Sequence, residues 1–256
     1  KLLTILCLVL LVSCSNEVPH DQLVERQGIQ YEINSQTPFT GSSVNYYNNG
    51  QLEYRENYKN GELDGLSEWF YENGQLGSGE NFKNGELDGL YEDYYDNGQL
   101  GSRGNFKNGK EDGFWESFRK NGQLEIRENY KIGELDGLQE TYYDNGQLWI
   151  RGNYIDGKED GLWESYYENG QLQEKRNIEN GELDGLSEEY YENGQLRYKG
   201  NYKNGKEDGL YEEYHENGNP EFRTNYKNGK EISTTKFYYN ENSQTQSIKN
   251  YKNGEL

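Results

Sequence analysis

The sequence has no alanine, no methionine and little aliphatic material. Only 31% of its 256 residues are hydrophobic, and 25 residues are tyrosine. Alanine and methionine favour helices, whereas tyrosine is enriched in strands, so the composition disfavours a helical protein. The shortage of aliphatic side chains also excludes a thick two-layer core. It favours a thin sheet whose tyrosines bury their rings and keep their hydroxyls in water.

The chain is also short of basic residues. It has 26 Lys and Arg against 46 Asp and Glu, which gives a net charge of −20. Nucleic acids and anionic lipid headgroups both require a basic patch. We therefore expect no nucleic-acid partner and no membrane binding through the folded surface. The charge itself is typical of a sheet that must stay soluble.

Cysteine is almost absent, and both cysteines lie at the N-terminus. Residues 2–12 form an apolar run behind Lys1 that has the length of a signal peptide and is too short to span a membrane. Cys7 lies inside this run and would leave with it. The chain that remains has no possible disulfide.

The apolar run ends in Leu11-Val12-Ser13-Cys14, which resembles the bacterial lipobox. The resemblance implies cleavage before Cys14 and a lipid on its sulfur, and several acyl chains anchor a protein stably. We expect a signal peptide at residues 1–13 and a lipidated cysteine with a polar tether at 14–22. The expected location is the bacterial cell envelope, lipid-anchored at Cys14, in the outer membrane or facing the periplasm.

An Asn-Gly pair recurs every 24 residues through most of the chain, which is typical of a repeat array. The asparagines are Asn49, Asn73, Asn97, Asn121, Asn145, Asn169, Asn193 and Asn217. Asn-Gly between aromatic-rich runs predicts a two-residue type I′ hairpin turn, in which both residues have φ > 0. The sequence therefore predicts an all-β fold, an elongated single-layer antiparallel sheet of stacked β-hairpins.

One unit covers residues 66–89, and its second turn leaves two geometries open. If identical columns stack in register, residues 84–87 form a four-residue loop, with Lys83 opposite Asp88 and Phe82 opposite Gly89. A two-residue turn at 84–85 would instead shift the sheet by two residues per repeat. The in-register geometry is preferred because an aromatic ring over a strand glycine stabilises a sheet.

The repeat pattern also suggests domain boundaries. Residues 23–40 predict a capping hairpin, because the terminal repeat of a stacked array lacks a neighbour on one side. The array is predicted over residues 41–232. The pattern decays in residues 233–256, which we interpret as a degenerate C-terminal repeat.

The hairpin register places an acidic residue opposite a basic one in six of seven full hairpins. The pairs are Glu92–Arg103, Glu116–Arg127, Glu140–Arg151, Glu164–Lys175, Glu188–Lys199 and Glu212–Arg223. In the seventh hairpin Glu68 faces Gly79. Opposite charges across two strands contribute roughly 0.2–1 kcal/mol each. We interpret the glutamates as structural ion pairs, and we predict no metal site and no cofactor.

Large aromatic residues recur at two positions of the first strand. They are Trp69, Tyr91, Trp115, Trp163 and Tyr211. Exposed aromatic columns suit protein contact. Alternatively they only pack the thin sheet, since a sheet ordinarily buries one face. Both interpretations remain open at this point.

Residues 190–196 (YYENGQL) and 201–210 (NYKNGKEDGL) resemble the bacterial variant of the MORN repeat. The resemblance covers about residues 23–256 and implies consecutive hairpins stacked into one long, twisted antiparallel sheet. Bacterial proteins of this group are often labelled antitoxin components, and eukaryotic relatives are associated with phospholipid binding and protein scaffolding. The lipid role transfers badly, because the basic residues are outnumbered and paired.

We interpret the chain as a non-enzymatic, membrane-anchored scaffold for an unidentified protein partner. A cell-wall or glycan-binding repeat protein is the alternative, because wall-binding arrays also use aromatic hairpins. An enzyme would need a converging, asymmetric set of groups. Here the acidic residues are copied along the array, and His215 occupies a tyrosine column. Calcium at the Asp88-type loops is disfavoured, because each loop supplies few carboxylates.

Overall fold

The computed structural model describes residues 17–240 and 244–252. The predicted signal peptide and Cys14 lie outside the described residues. By its internal contacts the chain divides into two compact units, one up to Gly98 and one from Gln99 onward. Within the described residues, a three-residue 3-10 helix at His20–Gln22 is the one helical segment. The all-β prediction is therefore confirmed, and no described helix has the length or apolarity to cross a membrane.

The first unit is an open sheet of hairpins with a small separate hairpin. Its strands are β1 (Glu17–Pro19), β2 (Leu23–Arg26), β3 (Ile29–Glu32), β4 (Gly41–Tyr46), β5 (Leu52–Lys59), β6 (Glu62–Leu63), β7 (Gly65–Phe70), β8 (Leu76–Lys83) and β9 (Glu86–Tyr94). From β4 to β9 the strands pair antiparallel along the chain, β5 with both β6 and β7. β2 and β3 pair with each other and form a small separate hairpin.

Part of the segment predicted as a tether has regular structure. β1 runs parallel to β4, with Val18 opposite Ser43. In the 3-10 helix that follows, the His20 ring lies edge-on to Tyr54 at 5.3 Å between ring centroids. Residues 17–19 therefore lie along the edge of β4, because this edge offers them hydrogen-bond partners.

The second unit continues the same pattern. Its strands are β10 (Leu100–Lys107), β11 (Lys110–Glu111), β12 (Gly113–Phe118), β13 (Leu124–Lys131), β14 (Glu134–Leu135), β15 (Gly137–Tyr142), β16 (Leu148–Ile155), β17 (Lys158–Tyr166), β18 (Leu172–Glu179), β19 (Glu182–Tyr190), β20 (Leu196–Lys203), β21 (Lys206–Tyr214), β22 (Pro220–Lys227), β23 (Lys230–Tyr239) and β24 (Thr245–Lys252). All pairings given for this unit are antiparallel. They join neighbouring strands, or strands separated only by the two-residue strands β11 and β14.

The turns at the 24-residue Asn-Gly pairs are not type I′, so that prediction was wrong. The Gly74 N–H donates to the Tyr71 carbonyl and the Tyr71 N–H to the Gln75 carbonyl, both at 2.8 Å. Gly74 has a φ of 81°, but Asn73 is not among the residues with positive φ. This is a three-residue loop, a type I turn closed by a glycine bulge. Asn73 stays right-handed because its side-chain oxygen accepts the Gln75 N–H at 3.0 Å.

The predicted register survives this change of turn. Next to the turn Phe70 lies opposite Leu76, one residue out of the expected pairing. A bulge between Trp69 and Phe70 absorbs the extra residue, and Glu68 then lies opposite Gly79 as expected. The bulge therefore restores the alternation of faces along both strands.

The second turn of each repeat is a type I′ turn. Asn84 and Gly85 have φ values of 50° and 80°. Lys83 lies opposite Glu86 and Phe82 opposite Leu87, so the expected four-residue loop, with Lys83 facing Asp88 and Phe82 facing Gly89, was wrong.

The sheet nevertheless does not shift by two residues per repeat. A larger bulge follows the turn, after which Glu80 pairs with Tyr91 and identical columns stack in register. The Asn81 amide holds this bulge by donating to the Leu90 carbonyl at 2.7 Å. Gly89 lies against the same asparagine with a φ of 126°, where a Cβ would lie 3.0 Å from Asn81 Cβ. Turn and bulge together give the in-register stack.

Both rows of turns are tied to the neighbouring repeat. In the second turns the glycine N–H donates to a carbonyl of the preceding repeat, as in Gly181 to Glu159 at 2.8 Å. In the first turns the tyrosine hydroxyl donates to a carbonyl of the following repeat, as in Tyr167 to Tyr190 at 2.7 Å. These bonds satisfy backbone N–H and C=O groups that would otherwise bond only to water.

The core is thin, as the composition predicts. In the first unit Phe39, Val44 and Tyr58 are buried, and in the second unit Trp163 and Ile178. Five buried hydrophobic side chains are few for the part of the chain that the structure describes, so hydrogen bonding and half-buried aromatic rings must supply much of the cohesion.

Candidate interaction surfaces

On one face of the sheet, aromatic rings lie over glycines of the neighbouring strand. We call this the aromatic face. Gly200 lies directly opposite Tyr211. A Cβ added to Gly152 would lie 2.1 Å from the Trp163 ring, and one added to Gly104 would lie 2.2 Å from the Trp115 ring. The rings therefore occupy the space that a strand side chain would normally take.

Neighbouring aromatic residues hold these rings edge-on. The rings of Phe106 and Trp115 are 5.2 Å apart with an interplanar angle of 83°. Those of Tyr154 and Trp163 are 5.4 Å apart at 85°. Trp163 is only 3% exposed. This geometry favours packing over partner contact at this position.

The other two aromatic residues predicted for an interaction face are more accessible. Trp69 is exposed and lies edge-on to Tyr71 at 4.6 Å. Tyr91 is half-buried. Burial raises the pKa of the Tyr91 hydroxyl, and the nearby carboxylates of Asp93 and Glu80 raise it further. The five predicted residues thus lie in columns of the sheet, but they do not form one uniformly exposed surface.

The tyrosines of the aromatic face stay protonated at neutral pH. Burial, followed by the carboxylate of Glu128, raises the pKa of Tyr130 to about 12. Burial likewise raises the pKa of Tyr202 to about 12. A phenol in this state is not a nucleophile or a general base.

The opposite face carries a ladder of glutamates and basic residues. Within the second unit, the sheet register places five predicted pairs directly opposite each other: Glu116–Arg127, Glu140–Arg151, Glu164–Lys175, Glu188–Lys199 and Glu212–Arg223. The pair Glu92–Arg103 stays a prediction.

The ion pairs run along the stack as well as within hairpins. Arg127 contacts Glu116 of its own hairpin at 2.9 Å and Glu140 of the next hairpin at 3.3 Å. Arg151 contacts the next glutamate, Glu164, at 2.6 Å. The sequence predicts only the pairs within a hairpin. By register, four bases lie between two glutamates: Arg127, Arg151, Lys175 and Lys199. Arg223 faces Glu212 on one side and Thr235 on the other.

Two further contacts extend this ladder. Glu212 is buried and accepts from Lys199 at 2.8 Å and from Arg223 at 2.6 Å. Glu68, which faces a glycine in its own hairpin, contacts Arg55 of the preceding strand at 3.1 Å. Basic residues thus neutralise the glutamates.

The ladder sets the ionisation of its carboxylates. Burial by itself would raise the pKa of Glu116, but hydrogen bonds from Arg103 and Arg127 bring it below its ordinary value. The same balance, with Lys199 as the first donor, lowers the pKa of Glu212. The described residues contain no group of three or more His, Cys, Asp or Glu side chains that could hold a metal ion.

The charged face also carries a column of exposed apolar residues that the sequence analysis did not single out. We call it the apolar column. In the second unit Phe114 is 61% exposed, and Leu162, Leu186 and Leu210 are 37–40% exposed. Each directly follows a glycine and lies two residues before a ladder glutamate, on the same face. Its sequence signal was the leucine or phenylalanine that recurs every 24 residues, two residues before a glutamate.

An acidic row lies at the edge of the sheet formed by the first turns. In the second unit this acidic row consists of Asp144, Glu168, Glu192 and Glu216, all exposed. Lys120 is the basic member at the equivalent position of an earlier repeat. His215, next to Glu216, lies 3.7 Å from Glu221 and edge-on to Tyr239. The chain thus offers a partner an apolar column and carboxylates spaced at every second strand.

The repeated hairpins and in-register columns define a β-hairpin repeat protein. The MORN repeat variant family matches seven segments of the chain, which together make up more than half of it. They are residues 39–60, 63–84, 87–108, 135–156, 159–180, 183–204 and 207–228. The chain belongs to this family.

The matched segments leave out the copy that contains Arg119 and Ile132. Arg119 stands in the tyrosine column of the first turns, and its Nη2 donates to the Tyr142 carbonyl at 3.0 Å, as the tyrosine hydroxyls do elsewhere. Ile132 stands in the asparagine position of the second turn with a φ of 56°. The copy therefore keeps the fold despite both replacements.

Among solved structures, one chain of the crystal structure of TcdB2-TccC3-Cdc42 is similar at 12% identity. The match covers 87% of this chain and 14% of that chain, with a TM-score of 0.21. A similarity at this level carries no argument about fold or function. The comparison with curated proteins finds no match.

Proposed function

We propose that this protein is a non-enzymatic repeat scaffold that binds a partner protein and is held in the bacterial cell envelope by a lipid on Cys14. The observation that carries the proposal is the apolar column of the second unit. It repeats at every second strand, about 10 Å apart, beside a ladder whose charges are already neutralised.

The partner has a chemistry that this surface defines. Exposed leucines spaced in this way favour an amphipathic segment that covers several repeats. The ladder offers little free charge, whereas the acidic row at the sheet edge carries carboxylates in solvent. A partner segment with apolar residues on one side and Lys or Arg toward that edge fits both features.

The site chemistry supports a passive role. The basic neighbours of Glu116 and Glu212 lower the pKa values of these ladder glutamates, and burial raises the pKa values of Tyr130 and Tyr202. Neither group is tuned for proton transfer near neutral pH. Each repeats along the array, whereas catalysis needs a converging and asymmetric set of groups.

Photo-cross-linking in the native cells tests the surface. A photoreactive phenylalanine analogue is placed at Leu162, Leu186 or Leu210 of the full chain, with Glu174 on the aromatic face as the control. We expect one and the same protein to cross-link from the three apolar positions and not from the control.

Reconstitution then decides whether that protein binds the surface. The purified partner should bind the purified chain with an affinity that falls as salt rises, because exposed carboxylates contribute. The triple variant L162S/L186S/L210S should lose at least about tenfold in affinity. Unchanged affinity in a folded triple variant would contradict the proposed surface.

The anchor is tested separately by Cys14→Ser. We expect the variant to leave the membrane fraction and to keep its thermal unfolding temperature. Persistence in the membrane fraction would refute the lipid anchor without bearing on the protein-binding surface.

A further inference from the structure

In the second unit, rings over glycines occur in every second repeat of the aromatic face. Trp115 lies over Gly104 and Trp163 over Gly152. In the repeats between them, Gln139 contacts Glu128 and Ser187 faces Arg176. In the last described repeat the equivalent pair is Thr234 opposite Thr224, so two short side chains stand where the other repeats place a ring or a longer polar side chain.

The bulge of the last repeat is also shorter, and it determines which threonine faces Thr224. In the preceding repeat Tyr202 pairs with Glu207, and the register then shifts so that Gly200 faces Tyr211. In the last repeat Tyr226 pairs with Glu231, but the shift is one residue smaller. Isoleucine and serine replace the Asp-Gly of the other bulges at residues 232–233.

The two short side chains leave a pocket between these strands. Its volume is about 420 Å³, within the range of about 300–1,000 Å³ for ligand pockets. Thr224 and Thr234 form its floor and are both buried. Their hydroxyls share a hydrogen bond of 2.8 Å. We call this cavity the last-repeat pocket.

The walls of the last-repeat pocket match those that hold a ring elsewhere. Tyr226 follows Thr224 by two residues, as Phe106 follows Gly104 and supplies the edge contact to Trp115. On the other side Tyr251 lies opposite Thr234 in the sheet and also lines the pocket.

The pocket also contains a hydrogen-bond acceptor. The Glu231 carboxylate accepts from the Thr234 hydroxyl at 2.7 Å and keeps capacity for further donors. In an interior repeat the Trp163 indole N–H is buried without a partner. A ring that entered the last-repeat pocket could instead donate to Glu231. The Lys236 ammonium lies over the Tyr251 ring, 5.7 Å from its centroid, and completes the rim.

We propose that the last-repeat pocket binds an aromatic side chain that carries a hydrogen-bond donor, the indole of tryptophan or the phenol of tyrosine, supplied by the partner protein. That the partner protein supplies this ring rests on the proposed scaffold function. The incoming ring lies over the two threonines, between Tyr226 and Tyr251, as Trp115 lies edge-on to Phe106 within the chain.

The test uses a small probe and the purified full chain, so it does not depend on the partner. Fluorine NMR of N-acetyl-5-fluorotryptophanamide should show saturable binding to one site. N-acetyl-phenylalaninamide, which lacks the ring donor, should bind at least threefold more weakly. Absence of saturable tryptophanamide binding would overturn the pocket and leave the cross-linking test at the apolar column unaffected.

Paired variants locate the binding. T224G/T234W rebuilds the glycine–tryptophan pair found at Gly152 and Trp163, and it should lower probe affinity at least tenfold while the chain stays folded. The converse variant G152T/W163T should open a second site and raise the stoichiometry from one to two.

Two further measurements keep the proposal falsifiable. If T224G/T234W does not fold by circular dichroism, Tyr251→Ser should weaken the probe at least fivefold, since it removes one wall. Chitotetraose is the competing ligand for a glycan site. Probe binding that survives in folded T224G/T234W, or chitotetraose that binds more tightly than the probe, would overturn the proposal.

Discussion

Gly152 shows at the residue scale how a ring and a glycine act as one unit. It lies in β16 beneath the Trp163 ring and has no positive φ, so space and not backbone conformation requires a glycine there. Gly79 is also a strand glycine, but a Cβ there would meet only Leu66 at 3.8 Å. Comparing the two positions therefore separates the effect of close packing from the effect of glycine's backbone flexibility.

We therefore expect Gly152→Ala to destabilise the protein by about 1–3 kcal/mol, since an added methyl group overpacks the site. Gly79→Ala should be neutral or slightly stabilising, because glycine weakens a strand. Urea unfolding followed by tryptophan fluorescence measures both. Equal effects of the two substitutions would contradict the assignment of the ring to the glycine.

Ile132 is a residue whose backbone conformation its side chain disfavours. It is 65% exposed and has a φ of 56° at the first position of a type I′ turn. A β-branched residue is rarely found there, whereas asparagine is preferred. The conformation persists because the turn glycine that follows, Gly133, donates to the Glu111 carbonyl at 2.9 Å.

Ile132→Asn should stabilise the second unit by about 1 kcal/mol, since it relieves a left-handed β-branched residue. The matched control is Ile155→Asn, which makes the same chemical change at an exposed strand residue outside the positive-φ set. Differential scanning calorimetry should show a higher unfolding temperature for Ile132→Asn alone. A gain of similar size in Ile155→Asn would show that the added polar side chain, and not the backbone conformation of the turn, causes the stabilisation.

At the scale of elements, the ladder links each strand to the next through charge. Glu212 in β21 lies between Lys199 of β20 and Arg223 of β22. Its pKa is lowered in the folded protein, so it binds protons less readily folded than unfolded. The stability from this contact is therefore present above the unfolded pKa of about 4.3 and is lost as pH falls through the folded pKa.

Glu212→Gln should lower the free energy of unfolding by about 1–3 kcal/mol at neutral pH, since it breaks hydrogen bonds between charged groups. The difference from wild type should shrink as pH falls below the ordinary glutamate pKa of about 4.3, and it should disappear only below the lowered pKa of the folded protein. Glu168→Gln, at an exposed turn carboxylate, is the control and should have almost no effect. A pH-independent difference would show that packing and not charge holds this contact.

The turns show how far the sequence could predict the elements. The 24-residue period and the strand columns follow from the sequence because they depend on alternation, which local residues determine. The turn types do not, because the Asn73 side chain bonds its own backbone while the Asn81 amide bonds across a bulge. Such contacts need coordinates. A bulge beside each turn offsets the difference in turn type, so the predicted register of the ladder pairs in the second unit survives.

At the scale of the molecule, the fold class could be predicted more fully than the candidate site. Composition and period were sufficient for an all-β repeat array of the MORN type. The apolar column was visible as a repeated leucine, but its exposure depends on the opposite face carrying the aromatic rings. The last-repeat pocket depends on two threonines and on a register shift one residue smaller than in the other bulges. The sequence shows the threonines and the loss of Asp-Gly at residues 232–233, but it does not show the size of the shift.

The in-register stack is the claim on which the apolar column, the ladder and the last-repeat pocket all depend. Nitroxide labels at residues 168 and 216, and at 144 and 216, measure it within the second unit. The native cysteines are replaced by serine for this purpose. Strands about 4.8 Å apart predict backbone separations of about 19 and 29 Å for the two pairs. Electron–electron distances that increase in this way would support the account. A longer-spaced pair that lies no farther apart than the shorter one would show that the repeats do not stack column upon column.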